Sequence, residues 1–401
     1  MPEPPPTAIV SLMSATATTR PRLVTPQFVL LGSAALAYFF ADGLLVPSVP
    51  LYVTGPLAGD DVAVGLSVGA FSLSALLLRP WAGRLVDRRG RSIAMVGGAA
   101  LFAASVAAYG FAEAVSVLVA LRLFTGVGEA FFFVGAVTAM ADLAPAERRG
   151  EAISLFSLSL YAGLAVGPPA GEAVVGSVGF GTVWLISAGA AVVAVLLTLR
   201  VGDTRGSASE RSEAGGRLIH PAAVLPGLLL LALVWGMSGF LAFVPLYAVD
   251  LGLSGAGFVL FEFAAIVVLI RSIGARIPDR LGAARSVRIS LLCTTIGLAI
   301  IGSRQTVPGL VFGTFVLGVG VALGTPAMIM LALQRAPAGE RGAVMGTVSM
   351  SLDLALGLGP ASFGVVAART DRSVGFLVAA LVAGAGLALA TRRWTRRPAT
   401  A

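Results

Sequence analysis

Long apolar runs alternate with short polar stretches along this chain. Twelve apolar segments stand at roughly 27–53, 62–81, 92–112, 115–141, 150–171, 180–199, 221–249, 254–274, 286–303, 307–333, 342–368 and 373–391. About 20 predominantly apolar residues suffice for a helix to cross the hydrocarbon core of a bilayer. Several segments exceed that length, which predicts tilt or bent ends. A membrane barrel would show short alternating segments instead. The pattern therefore predicts an all-α membrane protein with twelve transmembrane helices, in contact with the lipid bilayer. The polar stretch 201–220, GDTRGSASERSEAGGR at its centre, reads as a flexible charged linker. It separates an N-terminal six-helix bundle (26–200) from a C-terminal one (221–392). The polar, proline-rich residues 1–25 and residues 393–401 read as tails. The N-terminal tail has no apolar core of a cleavable signal, so the first helix is expected to direct insertion.

Composition strengthens this reading. Hydrophobic residues make up 57% of the chain and charged ones 12%, too little polar surface for a soluble protein of this size. The net charge of +8 does not point to nucleic acid, because the basic residues are dispersed in short loops between apolar runs. All 28 are arginine. Twenty-two fall on the side shared by the N-terminus, the even-to-odd loops and the C-terminus. Three (Arg304, Arg369, Arg372) fall on the opposite side, and three (Arg79, Arg122, Arg271) lie in or at the ends of apolar segments. That asymmetry predicts both termini in the cytoplasm of a cell whose inner membrane holds the protein. The single cysteine, Cys293, lies in an apolar run and permits no internal disulfide. The single histidine, His220, reads as a loop residue. Nothing resembles a metal cluster, a phosphate loop or an activated nucleophile, so neither a metal nor an organic cofactor nor catalysis is expected.

The two halves repeat. A shift of 192 residues places Arg79 on Arg271, Asp87-Arg88 on Asp279-Arg280, Gly90 on Gly282 and Gly126-Val127-Gly128 on Gly318-Val319-Gly320. It also places Ala144-Pro145 on Ala336-Pro337, Arg149-Gly150 on Arg341-Gly342 and Gly167-Pro168 on Gly359-Pro360. Near the first segments the shift differs slightly, with Pro50-Leu51-Tyr52 on Pro245-Leu246-Tyr247. Both halves have the same topology, so these are parallel repeats about an axis along the membrane normal, with a natural cavity between them.

Four stretches carry a family resemblance. The loop after segment two reads Gly83-Arg84-Leu85-Val86-Asp87-Arg88-Arg89-Gly90-Arg91 and resembles the signature loop of the major facilitator superfamily. Segment four, Arg122-Leu-Phe-Thr-Gly126-Val-Gly128-Glu129, is similar to its buried-arginine motif. Segment five, Gly163-Leu-Ala-Val-Gly167-Pro168-Pro-Ala-Gly171, looks like the motif of its drug/proton antiporters. Segment one ends Pro47-Ser-Val-Pro50, as in twelve-helix members of that group. Ser92 follows Arg91 where a second basic residue is usual, and the second copy of the loop has Ala275, Leu281 and Ala283 at signature positions. The resemblance implies that Asp87, with Gly83, Arg88, Gly90 and Arg91, latches the halves together near the start of segment eleven, around Gly342. A helix start offers free N–H groups and partial positive charge to such a carboxylate. Asp279 and Arg280 are the corresponding pair of the second half.

Gly163, Gly167 and Gly171 recur every four residues with Pro168 between them. Small residues on one face let helices approach closely, and proline removes a backbone bond and bends a helix. The resemblance implies a helix that seals the cavity, as in exporters. Ionisable residues inside apolar segments are Asp42 in segment one, Arg122 and Glu129 in four, Glu262 in eight and Asp353 in eleven, whereas segments three, six, nine and twelve have none in their interiors. In the superfamily that charge-free set is the outer, lipid-facing one. A charge at mid-membrane costs at least about 2.5–3.5 kcal/mol, so these five need internal partners or a wet cavity. Arg122 and Glu129, seven apart on one helix face, are too distant for a tight pair. Asp42 and Glu129 are the first candidates to bind a coupling proton, with Arg122, Asp353 and Glu262 behind them. Tyr38, Phe39, Phe40, Phe131, Phe132, Phe133 and Trp235 stand near these charges. They either pack or wall a cavity for amphipathic solutes. The expectation is a monomeric, proton-coupled exporter of a small organic molecule. An uptake permease on the same fold and a non-transporting sensor are the alternatives.

Overall fold

A computed structural model describes residues 23–145, 148–204, 220–273, 281–334 and 341–395. Twelve α-helices follow one another in it. In the first half these are α1 (Pro26–Thr54), α2 (Asp61–Arg89), α3 (Arg91–Ala107, continued by a 3₁₀ turn Ala108–Phe111), α4 (Val115–Leu143), α5 (Arg149–Val178) and α6 (Phe180–Val201). In the second they are α7 (Pro221–Asp250), α8 (Gly257–Ile273), α9 (Ala283–Arg304), α10 (Val307–Gln334), α11 (Arg341–Arg369) and α12 (Arg372–Thr395). Ten are long and apolar enough to cross a membrane. The other two are α5, which carries Glu172 and the Pro168-Pro169 pair, and α8, whose described length is 17 residues. The linker residues 205–219 and the tail residues 1–22 and 396–401 lie outside the described residues.

Helix ends follow local chemistry. The Thr25 hydroxyl accepts from Phe28 N–H at 3.2 Å and Pro26 opens α1, where a missing N–H is harmless. Asp60 caps α2 by accepting from Ala63 N–H at 2.8 Å. His220 caps α7, its Nδ1 accepting from Ala222 N–H at 3.2 Å. One expectation is corrected here. The stretch Gly83–Arg89 is not a loop: α2 runs through it, and the break is the single residue Gly90, with φ 115°. Arginines end the apolar run, but they are good helix formers, so hydropathy stops before the helix does. Only a left-handed backbone at a glycine ends it.

Within each half the same helices meet. In the first, α1 packs on α5 and α6, α2 on α4, and α3 on α4 and α6; in the second, α7 packs on α11 and α12, α8 on α10, and α9 on α10 and α12. The repeat holds at the level of single contacts. A Cβ on Gly128 would meet Gly98 O at 2.6 Å, and one on Gly320 would meet Ser290 O at 2.8 Å. A Cβ on Gly167 would meet Gly43 Cα at 2.6 Å, and one on Gly359 would meet Trp235 O at 2.9 Å. Each pair is related by the sequence shift of 192, so the repeat places backbones as well as residue types. Gly282 repeats the positive φ of Gly90, at 79°. Buried aromatic side chains fill both halves, among them Tyr38, Phe102, Phe132 and Trp184 in the first and Phe240, Phe243 and Phe376 in the second.

The halves meet mainly through α2 with α11, α5 with α8, α1 with α7 and α2 with α7. The helices α3, α6, α9 and α12 stand outside this boundary, apart from Arg372 at the start of α12. They are the same four whose interiors lack ionisable residues.

Candidate functional site

The α2–α11 seam begins at the Asp61 end. A Cβ on Gly65 would strike Pro360 and Ala361, one on Gly69 would strike Gly357, and one on Gly364 would strike Asp61. Backbones this close leave no room for side chains. Farther along, the seam is made by charge. Arg79 Nη2 lies 3.0 Å from Asp353 Oδ1 and 3.8 Å from Glu129 Oε1. The Asp353 side chain is 3% exposed and that of Glu129 12%, so this is an interior ion cluster across both halves. The Arg79 guanidinium lies over the Phe133 ring at 5.0 Å.

Arg122 does not pair with Glu129. Its Nε donates to Ser67 O at 3.1 Å and its guanidinium lies over Phe71 at 4.6 Å. Asp42 of α1 is half-buried. The interior thus sets three carboxylates, Asp42, Glu129 and Asp353, against two guanidinium groups, Arg122 and Arg79, and Arg79 meets two of the carboxylates. It is under-satisfied. Arg79 Nε, Arg122 Nη1, Glu129 Oε2 and Asp353 Oδ2 have no hydrogen-bond partner among the described residues. Buried charges without a full set of partners are costly in any one arrangement, which favours groups able to exchange partners. Glu262 stays apart: its Oε2 has no hydrogen-bond partner among the described residues.

The sequence named four members of this group and missed the fifth, Arg79, which pairs with two of them. Its signal was present, since Arg79 is one of only three arginines inside apolar segments and has a repeat partner, Arg271. That partner lies over the Tyr161 ring at 4.3 Å, across the α5–α8 boundary, in a cleft of about 430 Å³. The aromatic residues divide. Tyr38 stacks on Phe132 at 3.9 Å between centroids, and Phe39, Phe133 and Phe156 pack edge-on beside them. Most of that set is packing, and Phe133 alone meets a charge of the cluster.

The glycine motif of α5 faces α1. A Cβ on Gly163 would lie 2.6 Å from Phe40 N, one on Gly167 2.6 Å from Gly43 Cα and one on Gly171 2.5 Å from Leu44 O. The Cδ of Pro168 lies in the same contact, and α5 runs unbroken through it.

Signature residues Gly83–Arg91 lie at the far end of α2. Asp87 is 75% exposed, with Arg91 Nη1 3.6 Å away. Arg91 is buried. It donates from Nη1 to Val86 O at 3.0 Å and from Nε to Asp142 at 2.9 Å, while its backbone N–H reaches Asp203 at 3.3 Å. Gly83 has open space around its Cβ position, and Arg88 is exposed. Asp279 and Arg280 lie outside the described residues. The residues before α11, where the latch expectation places the partner of Asp87, lie outside the described residues. The Asp87 carboxylate faces solvent.

Contacts at the opposite end are closed. Glu172 of α5 accepts from the backbone N–H groups of Ala256, at 2.6 Å, and Gly257. These belong to the first turn of α8, so a carboxylate of one half holds the helix start of the other. Arg372 of the second half pairs with Asp61 of the first at 2.8 Å and with Asp250 at 2.6 Å. Sequence alone gave no pairing for Glu172, and counted Arg372 only as a charge on the sparsely basic side.

A two-fold repeat of six-helix units meeting at a charged midline is the architecture of a membrane transporter. The sequence matches the Major Facilitator Superfamily over residues 31–302 and 256–401, and the chain belongs to that family. An uncharacterised MFS-type transporter of Salmonella typhimurium (strain LT2) is 26% identical over 382 residues, covering 90% of this chain and 94% of the relative. Among solved structures, the human organic anion transporter MFSD10 superimposes with a TM-score of 0.69 at 18% identity, over 92% of this chain and all of the other. A bacterial homologue of the human lysosomal transporter Spinster, in an inward-facing and unoccupied conformation, gives 0.76 at 14% identity, over 94% of this chain and 100% of that one. Both likenesses concern the fold.

Proposed function

We propose that this protein expels a small organic molecule from the cytoplasm in exchange for protons, by alternating access between its two halves. The observation that carries this reading is the interior set of three carboxylates and two arginines, in which Arg79 pairs with a carboxylate of each half. With every group charged it holds one excess negative charge, which a single proton neutralises. Asp42 and Glu129 are the groups we assign to that proton, with Asp353 exchanging Arg79 between them. A proton shifts the balance between two states only by binding them unequally, and Arg79 supplies the inequality because its pairing to Asp353 spans the halves.

The arginine asymmetry supports placing the Gly90 end and both termini in the cytoplasm, with the cytoplasmic membrane as the location and a monomer as the working unit. With that orientation, the Glu172 and Arg372 contacts fall on the outer side. In the opposite state Asp87 closes the inside. The direction of transport rests on the α1–α5 glycine contact, whose sequence resembles the antiporter motif. Everted membrane vesicles test the reading. Acidification of their interior should drive accumulation of the exported solute, identified by metabolite release from a deletion strain, and a protonophore should abolish it. Accumulation driven by the opposite gradient would make the protein an uptake permease. A reconstituted protein that moves neither solute nor proton would make it a sensor.

A further inference from the structure

The repeat makes a specific comparison possible at the α5–α8 boundary. Shifting the bridge Arg79–Asp353 by 192 residues gives Arg271 and, in the other direction, Tyr161. These two residues do meet, with the guanidinium 4.3 Å from the ring centroid. The same shift places Glu129 on Val321. The second boundary thus keeps the arginine and the geometry of the first, but both carboxylates are replaced by uncharged side chains. Among the described residues no acid pairs with Arg271, and its Nε has no hydrogen-bond partner. It lines the cleft of about 430 Å³ between α5, α8 and α10. Hydroxyls of Tyr161, Ser272 and Thr325 and apolar surface of Leu323, Pro326 and Ile329 complete the walls. That volume is ordinary for a small-molecule site.

We infer that this cleft is an anion subsite, and that the solute carries a carboxylate or similar single negative charge on an apolar body. This rests on the transport reading above and adds the chemical class of the solute. A guanidinium stacked on an aromatic face keeps the donor fork at its edge free for a planar anion. The anion supplies the counter-charge that Asp353 and Glu129 supply to Arg79. It also links occupancy to motion. When the inner end closes, α5 and α8 come together and Arg271 loses water. Burying an unpaired charge is costly and burying a paired one much less so, so the empty cleft resists closure and the anion relieves that resistance.

The test uses the full chain purified in an uncharged detergent, with benzoate, 1-naphthoate and decanoate as probes and benzylamine, 1-naphthylmethylamine and decylamine as cationic counterparts. At least one carboxylate should raise the apparent Tm saturably, and the amines should not. Arg271→Gln should weaken that binding at least tenfold, and Arg271→Lys, which keeps the charge, should restore part of it. Thr325→Val, away from the arginine, should weaken it if Arg271→Gln fails to fold. Absence of saturable binding by all three carboxylates, equal binding by Arg271→Gln, or preference for the amines overturns the inference. Phosphatidylglycerol separates a solute from a lipid headgroup. Labelled probe that binds and also crosses phosphatidylcholine vesicles supports the solute. Probe displaced by phosphatidylglycerol that never crosses overturns it in favour of lipid. Equilibrium binding needs neither a proton gradient nor a direction, so its failure leaves the proton-exchange reading standing. Intact binding with no proton-driven flux removes that reading alone.

Discussion

Arg79 on α2 holds Asp353 on α11 at 3.0 Å across the boundary between the two halves, with Glu129 of α4 at 3.8 Å on the same guanidinium nitrogen. One cation therefore serves carboxylates from both halves. Arg79→Gln strips both of their counter-charge. Removing one partner of a buried pair costs about 3–5 kcal/mol, so the variant should show a markedly lower apparent Tm and little transport. Asp353→Asn in the same chain should recover part of the Tm without recovering transport. Thermal unfolding and vesicle flux, measured on the same preparations, check both.

Glu172 holds the first turn of α8 through two backbone N–H groups. Glu172→Gln removes the charge that favours a helix start, worth about 0.3–2 kcal/mol, and should shift the population several-fold towards a state open at the Asp61 end. Spin labels at the exposed positions Val178 and Ser254, in a chain whose Cys293 is replaced, should report a longer distance component. An unchanged distance distribution would show that the contact is incidental.

The glycines of the two motifs should respond oppositely. A Cβ at Gly167 meets Gly43 Cα at 2.6 Å, backbone that cannot move aside, whereas Gly83 has no heavy atom within 4 Å of that position. Gly167→Val should cost about 1–3 kcal/mol by overpacking and separate α1 from α5, while Gly83→Ala should leave the apparent Tm unchanged. Thermal unfolding in detergent distinguishes the two.

Asp87 and Arg91 stand four residues apart but do different work. Asp87 is in solvent here, so Asp87→Asn should change stability by no more than about 0.5 kcal/mol while sharply slowing transport, as the proposed latch requires. Arg91→Ala should lower the apparent Tm, because it removes the buried ion pair with Asp142 and the bond to the Val86 carbonyl. Normal flux in Asp87→Asn would remove the latch.

Asp371 accepts from Val374 N–H at 2.9 Å and from the Ser373 hydroxyl, and so caps the helix that begins with Arg372. The Ser373 hydroxyl, then the Val374 amide, hold this carboxyl below the usual aspartate range. The cap is therefore fully formed above the ordinary aspartate pKa and is lost as pH falls through the lowered value. Asp371→Ala should cost about 0.5–2 kcal/mol at neutral pH. That cost should disappear at the acid extreme, in apparent Tm measured against pH.

Much of this was legible in the chain because a bilayer imposes strong rules. Apolar length counted the helices, and the 192-residue repeat paired Gly128 with Gly320 and Gly167 with Gly359 before any coordinates. Their contacts repeat too, because equal backbone approaches need equal small residues. Asp42, Arg122, Glu129 and Asp353 were visible as charges where charge is costly. Hydropathy misjudged Gly83–Arg89, since helix hydrogen bonding continues where apolarity ends. Only the tertiary structure decided which charges meet. Arg79 and Asp353 are 274 positions apart in the sequence, and nothing local says that one long side chain reaches the other across the seam. The same holds for Glu172 on the start of α8 and for Arg271 on Tyr161. Sequence determined the spans, the repeat and the supply of buried charge, because each follows from transfer free energy along one helix. Pairing depends on how two six-helix bodies lean together, and that is fixed by the sum of all their contacts.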